Sequence, residues 1–148
     1  MLDIQIKQKM APSILSFLKK EWKTADKKYR ENEVNWKKHR DIITAYEDKK
    51  IIGVLELNYV AGVMHVEEII VAFSYHKRGI GTLLMKEAEK IAQKEKLHKI
   101  FLETGKTWGI STFYEKLGYI KTGELPKHHG GQDYIQYSKF LSKSFEKW

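Results

Sequence analysis

A chain of 148 residues, 42% apolar and 31% charged, has the composition of one globular domain able to bury its own core rather than of a disordered chain. It contains no cysteine, which excludes disulfides, thiolate metal sites and thiol nucleophiles and suits a reducing cytoplasm. Its 27 basic against 19 acidic residues leave a net charge of +8, which calls for an anionic partner: nucleic acid, a membrane surface or a polyphosphate.

The longest apolar run, residues 69–73, falls far short of the ~20 residues of a membrane helix. The first ten residues carry no apolar segment before a small-residue cleavage site, so no leader is read and a cytoplasmic protein is expected. Leu2, Ile4 and Ile6 alternate with polar residues and predict a half-buried first strand. Pro12 suits the first turn of a helix in which Ile14, Leu15, Leu18 and Trp22 recur at helical spacing. Residues 24–40 are densely charged around Tyr29, Val34 and Trp36 and read as a second helical stretch.

Residues 42–47 and 51–59 flank Asp48-Lys49-Lys50 as a hairpin, and Ala61-Gly62 turns the chain into a third strand at 63–71. From 79 to 96 the period changes, placing Leu83, Leu84, Ala88, Ile91 and Ala92 on one helical face. Residues 100–104 return parallel to the third strand through a right-handed crossover. A helix at 110–117 is stopped by Gly118, and strands at 119–124 and 134–140 close the chain across Pro126 and Gly130-Gly131. The predicted class is α+β, in a single domain over residues 1–148: a mixed, mostly antiparallel central sheet, one parallel β-α-β crossover and flanking helices.

Chemistry concentrates where the third strand meets the long helix. Gly79 and Gly81 remove side chains, so backbone N–H groups can close on an oxygen-rich anion at a helix N-terminus, with Lys77 and Arg78 as countercharge. On spacing alone, two glycines that merely turn a strand into a helix explain the pattern equally well. No Gly-Lys-Ser/Thr follows, and neither a third glycine nor a downstream acidic residue marks a dinucleotide fold.

His76-Lys77-Arg78-Gly79-Ile80-Gly81 is similar to the Gln/Arg-x-x-Gly-x-Gly/Ala acyl-CoA signature of the GNAT family of N-acetyltransferases. Residues 113–119, Phe-Tyr-Glu-Lys-Leu-Gly-Tyr, resemble that family's second hallmark, and the order and separation of the two motifs match as well. Three positions depart from the pattern: His76 for Gln or Arg, Phe73 for proline, and Thr107, beside Trp108, for an asparagine.

The resemblance implies a GNAT-like fold and acetyl transfer from acetyl-CoA to a primary amine by direct attack in a ternary complex. Coenzyme A would then lie between the third strand and the crossover strand. Its contacts would fall to Ile69 and Val71 on the strand and to His76, Lys77, Arg78, Gly79, Ile80, Gly81 and Thr82 in the loop. Val71 N–H would be the oxyanion donor and Tyr114 the general acid. Glu103 and Glu67 are equal contenders for the base, with Glu68 behind; simple alternation puts Glu67 and Glu68 on opposite faces.

No histidine spacing marks a metal site, and His128-His129 in their Pro/Gly loop read as solvent-exposed or as a substrate rim. The expected partner is a small-molecule or peptide amine, with no membrane; a homodimer is allowed. The alternatives are a catalytically silent acyl-CoA sensor and a basic nucleic-acid-binding domain. The second lacks a recognised motif and mixes its basic residues with acids, while the phosphates of coenzyme A give the excess positive charge another use.

Overall fold

The computed structural model describes residues 1–31 and 33–141. They fall into two compact units, residues 1–34 and the chain from Asn35 onward. In the first, α1 spans Pro12–Tyr29 with its proline in the opening turn, where a missing N–H costs nothing. Lys27 and Lys28 in the last turn complement the helix dipole, and the Arg30 guanidinium closes on Asp26 at 2.7 Å.

Two expectations fail here. Residues 2–6 join no strand, and Leu2, Ile4 and Ile6 are exposed. Alternation supplies a face, but a strand also needs a neighbour to take its backbone N–H and C=O groups. The helical stretch expected over 24–40 ends with α1 at Tyr29, and from His39 the chain is already strand.

The second unit is a six-stranded sheet: β1 His39–Glu47, β2 Lys50–Val60, β3 Val63–Val71, β4 Lys99–Gly105, β5 Ile120–Leu125 and β6 Tyr134–Phe140. Their order is β1-β2-β3-β4-β6-β5. Among the described residues only β3 and β4 run parallel, joined by the crossover helix α2 at Ile80–Lys94; the short helix α3 is Ser111–Lys116. The class is the one expected. At the β1–β2 turn Asp48 and Lys49 both take positive φ, matching the twist a tight hairpin needs.

One sheet face is the core. Leu55, Leu57, Met64, Val66, Ile100, Leu102, Ile135 and Tyr137 bury themselves there with Leu84, Met85, Ala88 and Ala92 of α2. Leu83, expected on the apolar face of α2, is 63% exposed, and Met85 is buried instead. Behind α3 a polar clamp closes the core: Lys139 Nζ donates to Glu89 Oε1 at 2.9 Å and to the Leu117 carbonyl at 2.8 Å. The Tyr119 hydroxyl donates to the same carboxylate at 3.3 Å. Burial first, and then Glu89, hold the Tyr119 phenol well above its ordinary range. Lys139→Ala would leave a largely enclosed carboxylate without its cation, so the fold should lose about 1–2 kcal/mol in urea unfolding.

Candidate active site

β3 and β4 pair only at Val63–Lys99, Met64–Ile100 and His65–Phe101, and beyond these the two strands part. What faces the opening follows from the β2–β3 register. Ala72 N donates to Ile52 O at 2.9 Å while Val71 lies opposite Gly53, so Val71–Gly53 is a non-hydrogen-bonded pair. The N–H and C=O of Val71, and by the same alternation those of Ile69, therefore turn away from β2 towards the gap. The Val71 carbonyl accepts from His76 Nε2 at 2.8 Å, so the His76 ring closes on the end of β3.

At the same end of β3 the chain makes the one-turn helix Phe73–Tyr75 and enters α2 through Gly79, whose φ of +80° favours glycine. No side chain caps α2, and its first i→i−4 bond is Leu83 N to Gly79 O. The amides of Gly79, Ile80, Gly81 and Thr82 thus stand without partners among the described residues. A Cβ on Gly79 would meet nothing within 4 Å, so the space beside the start of α2 is open there. Gly81 differs: a Cβ there would stand 3.3 Å from Phe113 Cζ, so α3 packs directly on the first turn of α2. Arg78 lies over the Tyr75 ring at 4.7 Å and reaches Glu47 at 3.3 Å, while Lys77 holds the left-handed turn at φ +59°.

Phe113 is followed by Tyr114, which α3 drives into the core against Tyr119 and Tyr137. Its ring is 4% exposed, and its hydroxyl has no hydrogen-bond partner among the described residues. Burial pushes this phenol up to about 12, so it is protonated at neutral pH. Thr104, at the parting end of β4, is also buried, and its Oγ1 has no partner among the described residues. Sequence reasoning passed over that orphan hydroxyl, because nothing in a lone strand threonine foretells it.

The opposite sheet face carries the carboxylates. Glu67 is the extra residue of a β-bulge, because Glu56 pairs with Glu68 and Leu57 with Val66. The bulge returns Ile69 and Val71 to the core face alongside Met64 and Val66. Both glutamates consequently lie on the non-core face, Glu68 opposite Glu56 and Glu67 held by the Asn58 amide. The parity argument that separated them is overturned, since simple alternation holds only where no residue is inserted. Glu103 reaches the same face from β4 and accepts from His65 Nε2 at 2.7 Å.

Residues 9–119 match the Acetyltransferase (GNAT) family. This chain belongs to that family. The GNAT fold is borne out by solved structures, each similar at low identity. An acetyltransferase from Bacillus cereus ATCC 14579 superposes with a TM-score of 0.70 at 20% identity, covering 93% of this chain and 98% of the other. The Escherichia coli ribosomal-protein-S18-alanine N-acetyltransferase gives 0.68 at 18% identity, over 85% of this chain and 80% of its own. A Bacillus anthracis str. Ames protein assigned as a streptothricin acetyltransferase, solved in complex with acetyl coenzyme A, gives 0.63 at 22%, over 78% and 67%.

As a GNAT protein the chain is an acyltransferase, and acetyl-CoA is the donor of the family. The free amides and open space at α2 fit a pyrophosphate, and the outward Ile69 and Val71 backbone fits an amide-bearing arm laid along β3. No group of three or more potential metal ligands occurs among the described residues, and no described helix is long and apolar enough to cross a membrane. Trp108 lies directly over Gly105, where a Cβ would come within 2.5 Å of the indole, and meets Tyr134 edge-on at 5.4 Å. His128 and His129 stand 4.1 Å apart, each about 5 Å from the same Tyr134 ring, so the pair belongs to an aromatic wall at the ends of β4 and β6.

Proposed function

We propose that this chain, as a single acetyltransferase domain over residues 1–148, transfers an acetyl group from acetyl-CoA to a primary amine of a small molecule or peptide, in a ternary complex in the cytoplasm. The observation that carries the reading is the parting of β3 and β4, with the Val71 N–H turned into the gap beside the uncapped amides of α2. The match from residue 9 onward runs across both compact units, in keeping with one working domain.

In this reading the amides of residues 79–82 hold the pyrophosphate, with His76, Lys77 and Arg78 at its rim. Ile69 and Val71 offer backbone groups to the pantetheine arm. The Ile69 N–H, farther along β3 from the loop, donates to the thioester oxygen as charge builds on it, from a position fixed by the sheet before reaction begins. The Val71 N–H, which the resemblance had implied for that role, sits beside the loop and serves the arm. Tyr114 gives its proton to the departing sulfur; a desolvated phenol without a competing partner is held neutral for that step. Glu103 belongs to the proton-accepting side and Glu67 to the side that receives the amine, both on the face away from the core.

Acetyl-CoA turnover against a panel of peptide N-termini, lysine side chains, polyamines and small amines, read as free thiol, tests the reading. Binding of acetyl-CoA without turnover on any amine would instead mark a silent sensor. Glu67, tied to Asn58 beside the gap, is placed to position the amine. Glu67→Gln should therefore raise the Michaelis constant for the amine several-fold while leaving kcat within about threefold, read from initial rates.

A further inference from the structure

His65 played no part in the sequence reading, yet it sits at the mouth of the gap. It belongs to the last parallel pair of β3 with β4, opposite Phe101, and Glu103 lies two residues beyond that pair on β4. The His65 Nε2 to Glu103 Oε2 bond of 2.7 Å therefore bridges the strands where they begin to part. The imidazole lies flat on the Phe101 ring, with centroids 4.4 Å apart and planes 1° from parallel, so it cannot turn without losing that contact. With side chains 29% and 22% exposed, the pair is mostly enclosed but reachable.

An ionised carboxylate only accepts, so Nε2 must carry the hydrogen of this bond. The lone pair of the neutral ring then lies on Nδ1, for which no partner is found among the described residues. We propose that His65 Nδ1 takes the proton lost by the acceptor amine, and that Glu103 is the positioning residue that fixes the His65 tautomer. This rests on the transferase reading and deepens it.

The step balances. As the amine nitrogen bonds to the acetyl carbon, its proton passes to Nδ1; the C–S bond breaks and the sulfur takes the Tyr114 proton. His65 then releases its proton to water and Tyr114 regains one, so the protein returns unchanged. Imidazole suits this task because its ordinary pKa of about 6.5 makes it a far better proton acceptor at neutral pH than a carboxylate at about 4.3. The other groups around the pair are accounted for. On β2, Asn58 lies opposite His65 and holds Glu67, and Glu56 is engaged by Arg40. Glu68 adds a carboxylate on β3, the Lys99 ammonium stands 5.5 Å over the Phe101 ring, and the neutral Gln136 lies opposite Glu103 on β6.

A pair that merely staples β3 to β4 would show the same tautomer but none of the kinetic effects that follow. In the full chain, 15N spectra of the histidines, taken at a pH where the rings are neutral, should show His65 protonated at Nε2 and bare at Nδ1; a neutral ring protonated at Nδ1 overturns the proposal without any substitution. His65→Ala should lower kcat about a hundredfold, abolish the acidic limb of the kcat–pH profile and regain turnover with added imidazole. Glu103→Ala should lower kcat by at least about tenfold yet keep that limb in the imidazole range, because the base is still present. A His65→Ala enzyme that keeps the limb, or that added imidazole fails to restore, overturns the proposal, as does a Glu103→Ala enzyme that loses the limb. A wild type inactive on every amine overturns the transferase reading itself; an active wild type with an unaffected His65→Ala variant overturns only the role of His65.

Discussion

Tyr114→Phe should lower acetyl transfer by about a hundredfold or more, the usual effect of removing a general acid. The substitution keeps the ring that packs on Tyr119 and Tyr137 and deletes only a hydroxyl with no hydrogen-bond partner among the described residues. Removing a hydroxyl that bonds to no other group of the protein costs the fold little, so urea unfolding should be nearly unchanged. Affinity for acetyl-CoA should be nearly unchanged, because the hydroxyl acts on the sulfur only as it leaves. Lost turnover in an equally stable protein separates an acid from a core aromatic. Wild-type turnover on a substrate for which chemistry is rate-limiting would return Tyr114 to the core.

Gly81→Glu should weaken acetyl-CoA binding at least about tenfold, by calorimetry, through charge repulsion at a helix N-terminus built for an anion. A carboxylate in the first turn of α2 would compensate the helix dipole itself and oppose the pyrophosphate. Packing complicates the reading, since the new Cβ would press on Phe113 at 3.3 Å and disturb the contact between α2 and α3. Gly81→Ala is the control: it carries the same Cβ without the charge. Nearly full affinity in the alanine variant and a large loss in the glutamate variant would assign the effect to the phosphates. Equal losses would assign Gly81 to packing, and unchanged affinity in both would remove the phosphate loop.

Much of this architecture was legible because its signals are local. β3 and β6 fall at 63–71 and 134–140, as their apolar and turn residues predict. α2 starts one residue after the glycine expected to open it, and ends at Lys94 where 96 was expected. The two motifs that carry the GNAT resemblance lie on the elements assigned to them: the loop and first turn of α2, and α3 with the Gly118-Tyr119 stop. Periodicity, glycine placement and motif order are written along the chain, and the chain alone determined fold class and family, and where on the fold the two glycines and Tyr114 lie.

Pairing decided the rest. The alternation of Leu2, Ile4 and Ile6 is as regular as that of any strand in the sheet, but these residues pair with nothing, and backbone groups without partners do not make a strand. Conversely, His39 and Arg40, in a segment charged enough to read as helix, are strand because Tyr59 and Asn58 of β2 lie opposite them. A bulge is a mismatch between two strands, so nothing in Val66-Glu67-Glu68 could announce that both glutamates share a face. The His65–Glu103 bond joins residues 38 positions apart across the parallel β3–β4 pair, where the parting strands bring an imidazole and a carboxylate together. Local patterns determine which residues can form an element; the register between elements, set by hydrogen bonding and packing at long sequence separation, determined which side chains meet at the gap.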